Sequence, residues 1–192
     1  MKEKKILVSA VLLWNKDVKY PAGDFKKTIE SILGQDYGAQ EVIVVDGSGK
    51  KAPTPYLNDA IAKKVKLVAG EFKNRAAYFN AGIAKAKGGY ILLVNTLENA
   101  IEFRKSAFDT FVIAAERNPD AGFIFSDYER IAPDGKVSEV HLLPYHQGRL
   151  RDAVDFGRAF FFTAAMMKKL KGLKEKYDAA DLYDLRFRAE EK

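Results

Sequence analysis

The chain predicts an α/β domain of three layers, α/β/α, on a mostly parallel mixed sheet. Apolar runs of strand length alternate with helix-period segments through residue 125, the signature of helices packed on both faces of a sheet. The runs are also continuously apolar, as strands covered on two sides must be. At 192 residues and 47% hydrophobic, the chain is long enough for one full core and is read as a single domain, 1–192.

Ile6 to Leu13 is the first apolar run and ends in Trp14-Asn15. Asp24 is positioned to cap the next helix, whose Phe25, Ile29, Ile32 and Leu33 recur on one face. Glu41 to Asp46 is the second strand. After a loop with Pro53 and Pro55, a helix over Tyr56 to Lys63 leads to a short strand, Val65 to Val68. Arg75 to Lys87 is helical, with Ala77, Asn80, Ala81, Ile83 and Ala84 forming a small-residue face, and Gly88-Gly89 stops it before the strand Tyr90 to Val94. Phe103 to Arg117 is helical up to the break at Asn118-Pro119-Asp120, and Ala121 to Phe125 is a strand. Asp134-Gly135 marks a tight turn between short β segments ending near Val140. Beyond it come His141, His146, a Pro-Tyr-His-Gln-Gly loop, a strand over Ala159 to Phe162 and two further helices.

The net charge of +6 favours an anionic partner, but the lysines are scattered along helical faces and no aromatic-interleaved basic stripe appears, so nucleic acid is not expected. No run approaches the roughly eighteen apolar residues of a membrane span, and Met1-Lys-Glu-Lys-Lys is not followed by an apolar signal region. With no cysteine there is no disulfide framework, thiol nucleophile or cysteine metal site. The expected location is cytoplasmic. No G-x-G-x-x-G follows any strand, which removes a dinucleotide oxidoreductase. The first strand also leads into Leu13-Trp14-Asn15-Lys16-Asp17 rather than the Gly-rich phosphate loop of a nucleotidyltransferase.

Asp46 closes a strand and enters Gly47-Ser48, where open α/β sheets place their ligands. Asp-Gly-Ser is also ordinary turn chemistry, and its spacing leaves both readings open. His141 and His146, five apart with no carboxylate at ligand spacing, read as surface or turn residues rather than a metal pair. Phe160-Phe161-Phe162 and Met166-Met167 read as core.

Six segments in this order carry a resemblance: Val8-Ser9 through Trp14-Asn15; Thr28-Ile29-Glu30-Ser31-Ile32-Leu33-Gly34-Gln35; Val44-Val45-Asp46-Gly47-Ser48; Asn80 through Ile91; Phe125-Ser126-Asp127-Tyr128 with Asp134-Gly135; and Tyr183 through Arg188. Together they resemble the inverting family 2 glycosyltransferases of the GT-A fold, over almost the whole chain. The resemblance implies a nucleotide-binding half over about residues 1–100 and an acceptor-side half over about 101–192. It implies a nucleotide-diphosphate sugar as donor and a hydroxyl acceptor such as a glycan. Family members commonly continue past the point where only four residues remain after Arg188, so a compact or shortened acceptor half is expected.

Carried over residue by residue, Trp14 packs against the base and Asp46 accepts its ring N–H, with Asn15, Ser48, Arg75 and Asn80 also on the nucleotide. Three motifs depart from the family. One Asp, not two, precedes Gly47-Ser48. The Asp-X-Asp that holds Mg²⁺ or Mn²⁺ on the diphosphate is replaced by Asn95-Thr96-Leu97-Glu98, leaving Asn95 and Glu98 near the diphosphate and Glu98 as the one weak candidate ligand. If no metal binds, the diphosphate charge falls to Arg75, Lys73, Arg158 or helix N-termini. The Glu-Asp pair that supplies the general base reads Asp181-Leu182, so Asp181 or Asp184 becomes the candidate base, and N-terminal acids supporting a last helix is the competing reading. The alternative function is a catalytically disabled GT-A domain that binds a sugar nucleotide or a protein.

Overall fold

The computed structural model describes residues 5–51, 53–132, 134–142, 157–177 and 180–192. Among the described residues, eight strands and six helices follow one another: β1 (Val8–Trp14), α1 (Ala22–Leu33), β2 (Gln40–Asp46), α2 (Asp59–Ala62), β3 (Val65–Ala69), α3 (Arg75–Ile83), β4 (Tyr90–Val94), α4 (Ala107–Arg117), β5 (Phe123–Ile124), β6 (Tyr128–Ile131), β7 (Val137–Val140), β8 (Ala159–Thr163), α5 (Ala164–Leu170) and α6 (Asp181–Glu190). Six strands form one sheet in the order β3-β2-β1-β4-β8-β5. The first four are parallel; β8 runs antiparallel to both β4 and β5. β6 and β7 form a separate hairpin, and its turn holds Gly135 at φ +82°, a conformation glycine adopts without steric cost.

Period-two alternation divides the strand side chains between two cores. Ala10, Leu12 and Trp14 of β1 join Val42 and Val44 of β2 in the core under α1, α2 and α4. Val11 and Leu13 join Ile43, Val45 and Leu93 in the core under α3, α5 and α6. This is the three-layer arrangement the apolar runs imply. Phe25, Ile29 and Ile32 of α1 are completely buried, each worth about 1.5–3 kcal/mol of apolar transfer. Phe160, Phe161, Phe162 and Met167 are core residues as well.

Several elements differ locally from the pattern reading. Asp24 is not the cap of α1: Pro21 precedes the helix, no side chain caps it, and Asp24 sits in the first turn paired with Lys27 at 2.9 Å. α2 begins at Asp59, capped by Asn58, because Tyr56 is withdrawn into the core instead of starting a helix. α4 begins at Ala107 rather than Phe103. α3 starts at Arg75, with the Asn74 side chain accepting from Ala77 N–H, but buries Ala76, Tyr78, Phe79 and Gly82 rather than the expected face. The bulk of Phe79 decides the rotation, and Asn80 is thereby turned to the loop after α5. Gly82 is the close-approach point, since a Cβ there would overlap Val11 of β1.

Candidate functional site

The carboxyl ends of β1, β2 and β4 meet where the strand order reverses, between β1 and β4. Register sets Trp14 beside Asp46 and Asp46 beside Ala69, while β4 stops with Val94 opposite Leu12. Thr96 continues the β1–β4 connection through its side chain. Its Oγ1 accepts from Leu13 N–H at 2.9 Å and donates to Leu13 C=O at 2.6 Å. The Tyr20 hydroxyl donates to the Thr96 carbonyl.

On the β1–β2 side the polar groups are closed in. Asp46 is 1% exposed; one carboxylate oxygen accepts from Ser48 N–H at 2.8 Å and the other from the Tyr56 hydroxyl. Burial, then the hydrogen bond to Asp46 and its charge, push the Tyr56 phenol far above its usual range, so it remains a donor. Trp14 is 4% exposed and packs against Phe25, Tyr56 and Tyr20 with ring centroids 4.8, 4.9 and 6.0 Å away. The resemblance implies an indole packed against the base, whereas the structure shows Trp14 closed into an aromatic cluster. The cause is alternation: Trp14 and Asp46 have the same parity as Leu12 and Val44, which face the α1 layer.

The missing second Asp after β2 has a steric counterpart, because a Cβ at Gly47 would overlap the Tyr78 hydroxyl. Tyr78 is hydrogen-bonded to the Asn15 side chain, whose Oδ1 accepts from Asp17 N–H at 2.8 Å. Asn15 thus holds the loop after β1. Ser48 opens onto a depression of about 660 Å³ lined by Gly49, Lys50, Lys51 and Glu71, and its Oγ is buried with no hydrogen-bond partner among the described residues.

The β4 side is built differently. Asn95 N–H donates to the Arg158 carbonyl at 2.8 Å, extending the β4–β8 ladder by one rung and setting Arg158 beside Asn95. Asn95 is 1% exposed, and neither its amide oxygen nor its amide nitrogen has a partner among the described residues. Such a buried orphan costs about 1–3 kcal/mol unless something completes it. Glu98 is about half exposed, with one carboxylate oxygen 3.1 Å from Arg158 Nη1 and the other 4.0 Å from Arg75 Nη1. Arg75 in turn forks onto Asp181, its Nε 3.2 and 3.1 Å from the two carboxylate oxygens, and Nη2 bonded to one of them. The Asp181 side chain is fully buried. Arg158, Glu98, Arg75 and Asp181 form a row of alternating charge that joins β8, the turn after β4 and the N-termini of α3 and α6.

Other candidate residues lie outside this row. Asn80 donates to Leu173 C=O and accepts from Leu173 N–H, both at 2.9 Å, so its amide holds the loop after α5. Asp184 accepts from Lys174 at 3.0 Å and Arg188 at 2.6 Å, and Arg188 also donates to the Leu170 and Gly172 carbonyls. Leu182, where the family has its base, is a core residue under the sheet. His141 does have carboxylate companions, Asp127 at 3.0 Å and Glu139 at 3.3 Å, supplied by the hairpin; the hydrogen bond to Asp127 raises its pKa above 6.5. His146 and the Pro-Tyr-His-Gln-Gly loop lie outside the described residues. Tyr56 and Tyr78, which contact Asp46, Asn15 and the Gly47 position, are missed by pattern reading, because nothing local in the sequence specifies those contacts.

The residues at the end of β4 do not fit Mg²⁺ or Mn²⁺. These ions require several oxygen ligands with carboxylate charge. The described residues offer the Asn95 amide, apolar Leu97 and one carboxylate, Glu98, which already faces two guanidinium groups. No group of three or more potential ligands occurs among the described residues. A divalent ion about 5 Å from one guanidinium is repelled by on the order of 7 kcal/mol at an effective dielectric of about 20.

Comparison with known structures agrees with the fold. A mannosyltransferase, PcManGT from Pyrobaculum calidifontis in complex with GDP-Man and Mn²⁺, is similar at 18% identity and TM-score 0.66, over 93% of this chain and 50% of that one. S. aureus TarS 1-349 in complex with UDP is similar at 13% identity and TM-score 0.67, over 96% of this chain and 55% of that one. Mannosyl-3-phosphoglycerate synthase from Rubrobacter xylanophilus is similar at 13% identity and TM-score 0.56, over 84% of this chain and 55% of that one. The chain thus spans about half the length of these structures. A comparison with curated proteins finds no match. Among the described residues no helix is long and apolar enough to cross a membrane. Residues 22–167, well over half of the chain, match glycosyl transferase family 2, and with the GT-A sheet in place, the chain belongs to that family.

Proposed function

We propose that this chain binds a nucleotide-diphosphate sugar along the carboxyl edge of the sheet and transfers the sugar to a hydroxyl acceptor with inversion. The observation that carries the reading is the buried Asn95 amide, without a partner among the described residues, beside Arg158, Glu98 and Arg75, in a family whose donor diphosphate lies at the end of this strand. Solved neighbours bind GDP-Man and UDP, which supports a nucleotide sugar as donor.

In the proposed reaction a carboxylate takes the acceptor hydroxyl proton while that oxygen attacks the anomeric carbon. The bond to the nucleoside diphosphate breaks on the opposite face, and its electron pair leaves with the diphosphate. Asp181 is the better of the two candidate acids, because Arg75 links it to Glu98, whereas Asp184 is tied to Lys174 and Arg188. Asp181 is reached only when Arg75 turns away from it, toward the donor. Asn95 completes its hydrogen bonds on the diphosphate, and Asp46 and Ser48 lie toward the base, entered by displacement of Tyr56. Trp14 then acts as the floor of the base site rather than as a stacking lid.

A second reading, a domain that binds the donor without turnover, draws on the burial of Asp181 and the placement of Leu182 in the core. Thermal shift titration with UDP, GDP, UDP-GlcNAc and GDP-Man tests donor binding, since a ligand selective for the folded state raises its stability. An upward shift with at least one is expected, and none with any defeats both readings. Release of nucleoside diphosphate over an acceptor panel then separates transfer from binding alone.

A further inference from the structure

We infer that the diphosphate subsite of this chain works without a divalent cation, with Arg158 and Arg75 as its positive charges and Glu98 as a built-in anion that the ligand displaces. The inference rests on the proposed nucleotide site and specifies how that site recognises its anion.

Glu98 occupies the space between two guanidinium groups, 3.1 Å from Arg158 and 4.0 Å from Arg75. Both Glu98 and Arg158 are about half exposed, so this pair is held loosely and an incoming anion reaches it from solvent. A diphosphate carries more charge and more acceptor oxygens than a carboxylate and matches the planar fork of arginine, so it outcompetes Glu98 for the same donors. The Asn95 amide, 1% exposed and without a partner among the described residues, shares a rung with Arg158 and supplies a neutral donor for a phosphate oxygen. Before the donor binds, Asp181 holds Arg75 by Nε and Nη2, which keeps its Nη1 toward the same point until the donor draws the guanidinium over. Glu98 keeps the cluster near neutral while empty, and on release it turns to solvent.

Isothermal titration of the full chain with inorganic pyrophosphate and with UDP and GDP, in EDTA and in Mn²⁺, tests this. Binding in EDTA is expected, with affinity changed less than about threefold by Mn²⁺. Arg158→Gln is expected to weaken pyrophosphate at least about tenfold, the size of one lost hydrogen bond to a charged group. Glu98→Gln, which removes the competing anion, is expected to tighten it. Both side chains are exposed enough that folding is retained, and circular dichroism verifies this. Binding that appears only with Mn²⁺, or that Glu98→Gln weakens, overturns the inference while leaving the nucleotide-sugar reading intact. No binding under either condition overturns both.

Discussion

The polar cluster around Glu41, at the amino end of β2, and the one around Asn95, at the carboxyl end of β4, lie at opposite edges of one sheet and are finished to different degrees. Glu41 accepts from Ser9 Oγ at 2.5 Å, from Lys87 N–H at 2.7 Å and from Lys66. Ser9 Oγ then accepts from Gly88 N–H at 2.8 Å. Burial raises the Glu41 pKa, but Lys66, Ser9 and the Lys87 N–H outweigh it and hold the group below the usual carboxylate value. Around Asn95 the charges are paired, yet an amide with four hydrogen-bonding sites is buried with none filled among the described residues. A cluster whose groups complete one another stabilises the fold; one that leaves a buried group unmet calls for a ligand.

The largest test breaks the carboxyl edge at its most buried point. Arg75→Ala leaves the Asp181 carboxylate without a counter-charge, and urea denaturation is expected to show a loss of about 3–5 kcal/mol. Replacing both partners by apolar residues, Arg75→Met with Asp181→Leu, is expected to recover most of it. A loss of less than about 1 kcal/mol for the single change would mean that the pair is solvated.

Glu41→Ala comes next and probes the finished cluster. It strands the Ser9 hydroxyl and leaves Lys87 N–H with Ser9 Oγ alone at 3.2 Å, at about 1–3 kcal/mol, and leaves nucleotide binding unchanged. Because the folded pKa of Glu41 is depressed, its contribution is present above the unfolded value near 4.5 and is lost as pH falls through the folded value. Wild type therefore loses more stability than the variant on acidification below about pH 4.5, and equal losses would contradict the assigned hydrogen bonds.

The smallest effect has the opposite sign. Asn95→Leu removes a buried amide that nothing among the described residues satisfies, so stability is expected to rise by about 1 kcal/mol while pyrophosphate and nucleotide binding weaken. A variant that loses both stability and binding would show that the amide has a structural partner, and the contrast between the two edges would disappear.

Much of the fold was legible because burial on two faces writes a continuous apolar run, as in Tyr90 to Val94, whose five residues are all buried. The antiparallel placement of β8 against both β4 and β5 was not legible, since no local feature of Ala159 to Thr163 states its direction. At the site, the end of a strand pointed to Asp46, and the family resemblance led to Asn95 and Glu98 after β4. Neither revealed that Tyr56 fills the hydrogen bond of Asp46, or that Asn80 and Asp184 bind loops, because those partners lie ten or more residues away.

By itself, the sequence determined the α/β layering and the positions where strands deliver polar residues, since these depend on periodicity and residue chemistry along the chain, and set beside the family it resembles it showed the loss of the paired carboxylates after β4. The tertiary structure alone decided that Trp14 is sealed and that Asp181, Arg75, Glu98 and Arg158 form one row. Contacts between segments over a hundred residues apart, such as Arg75 with Asp181, depend on how whole layers dock, and no local pattern encodes that distance.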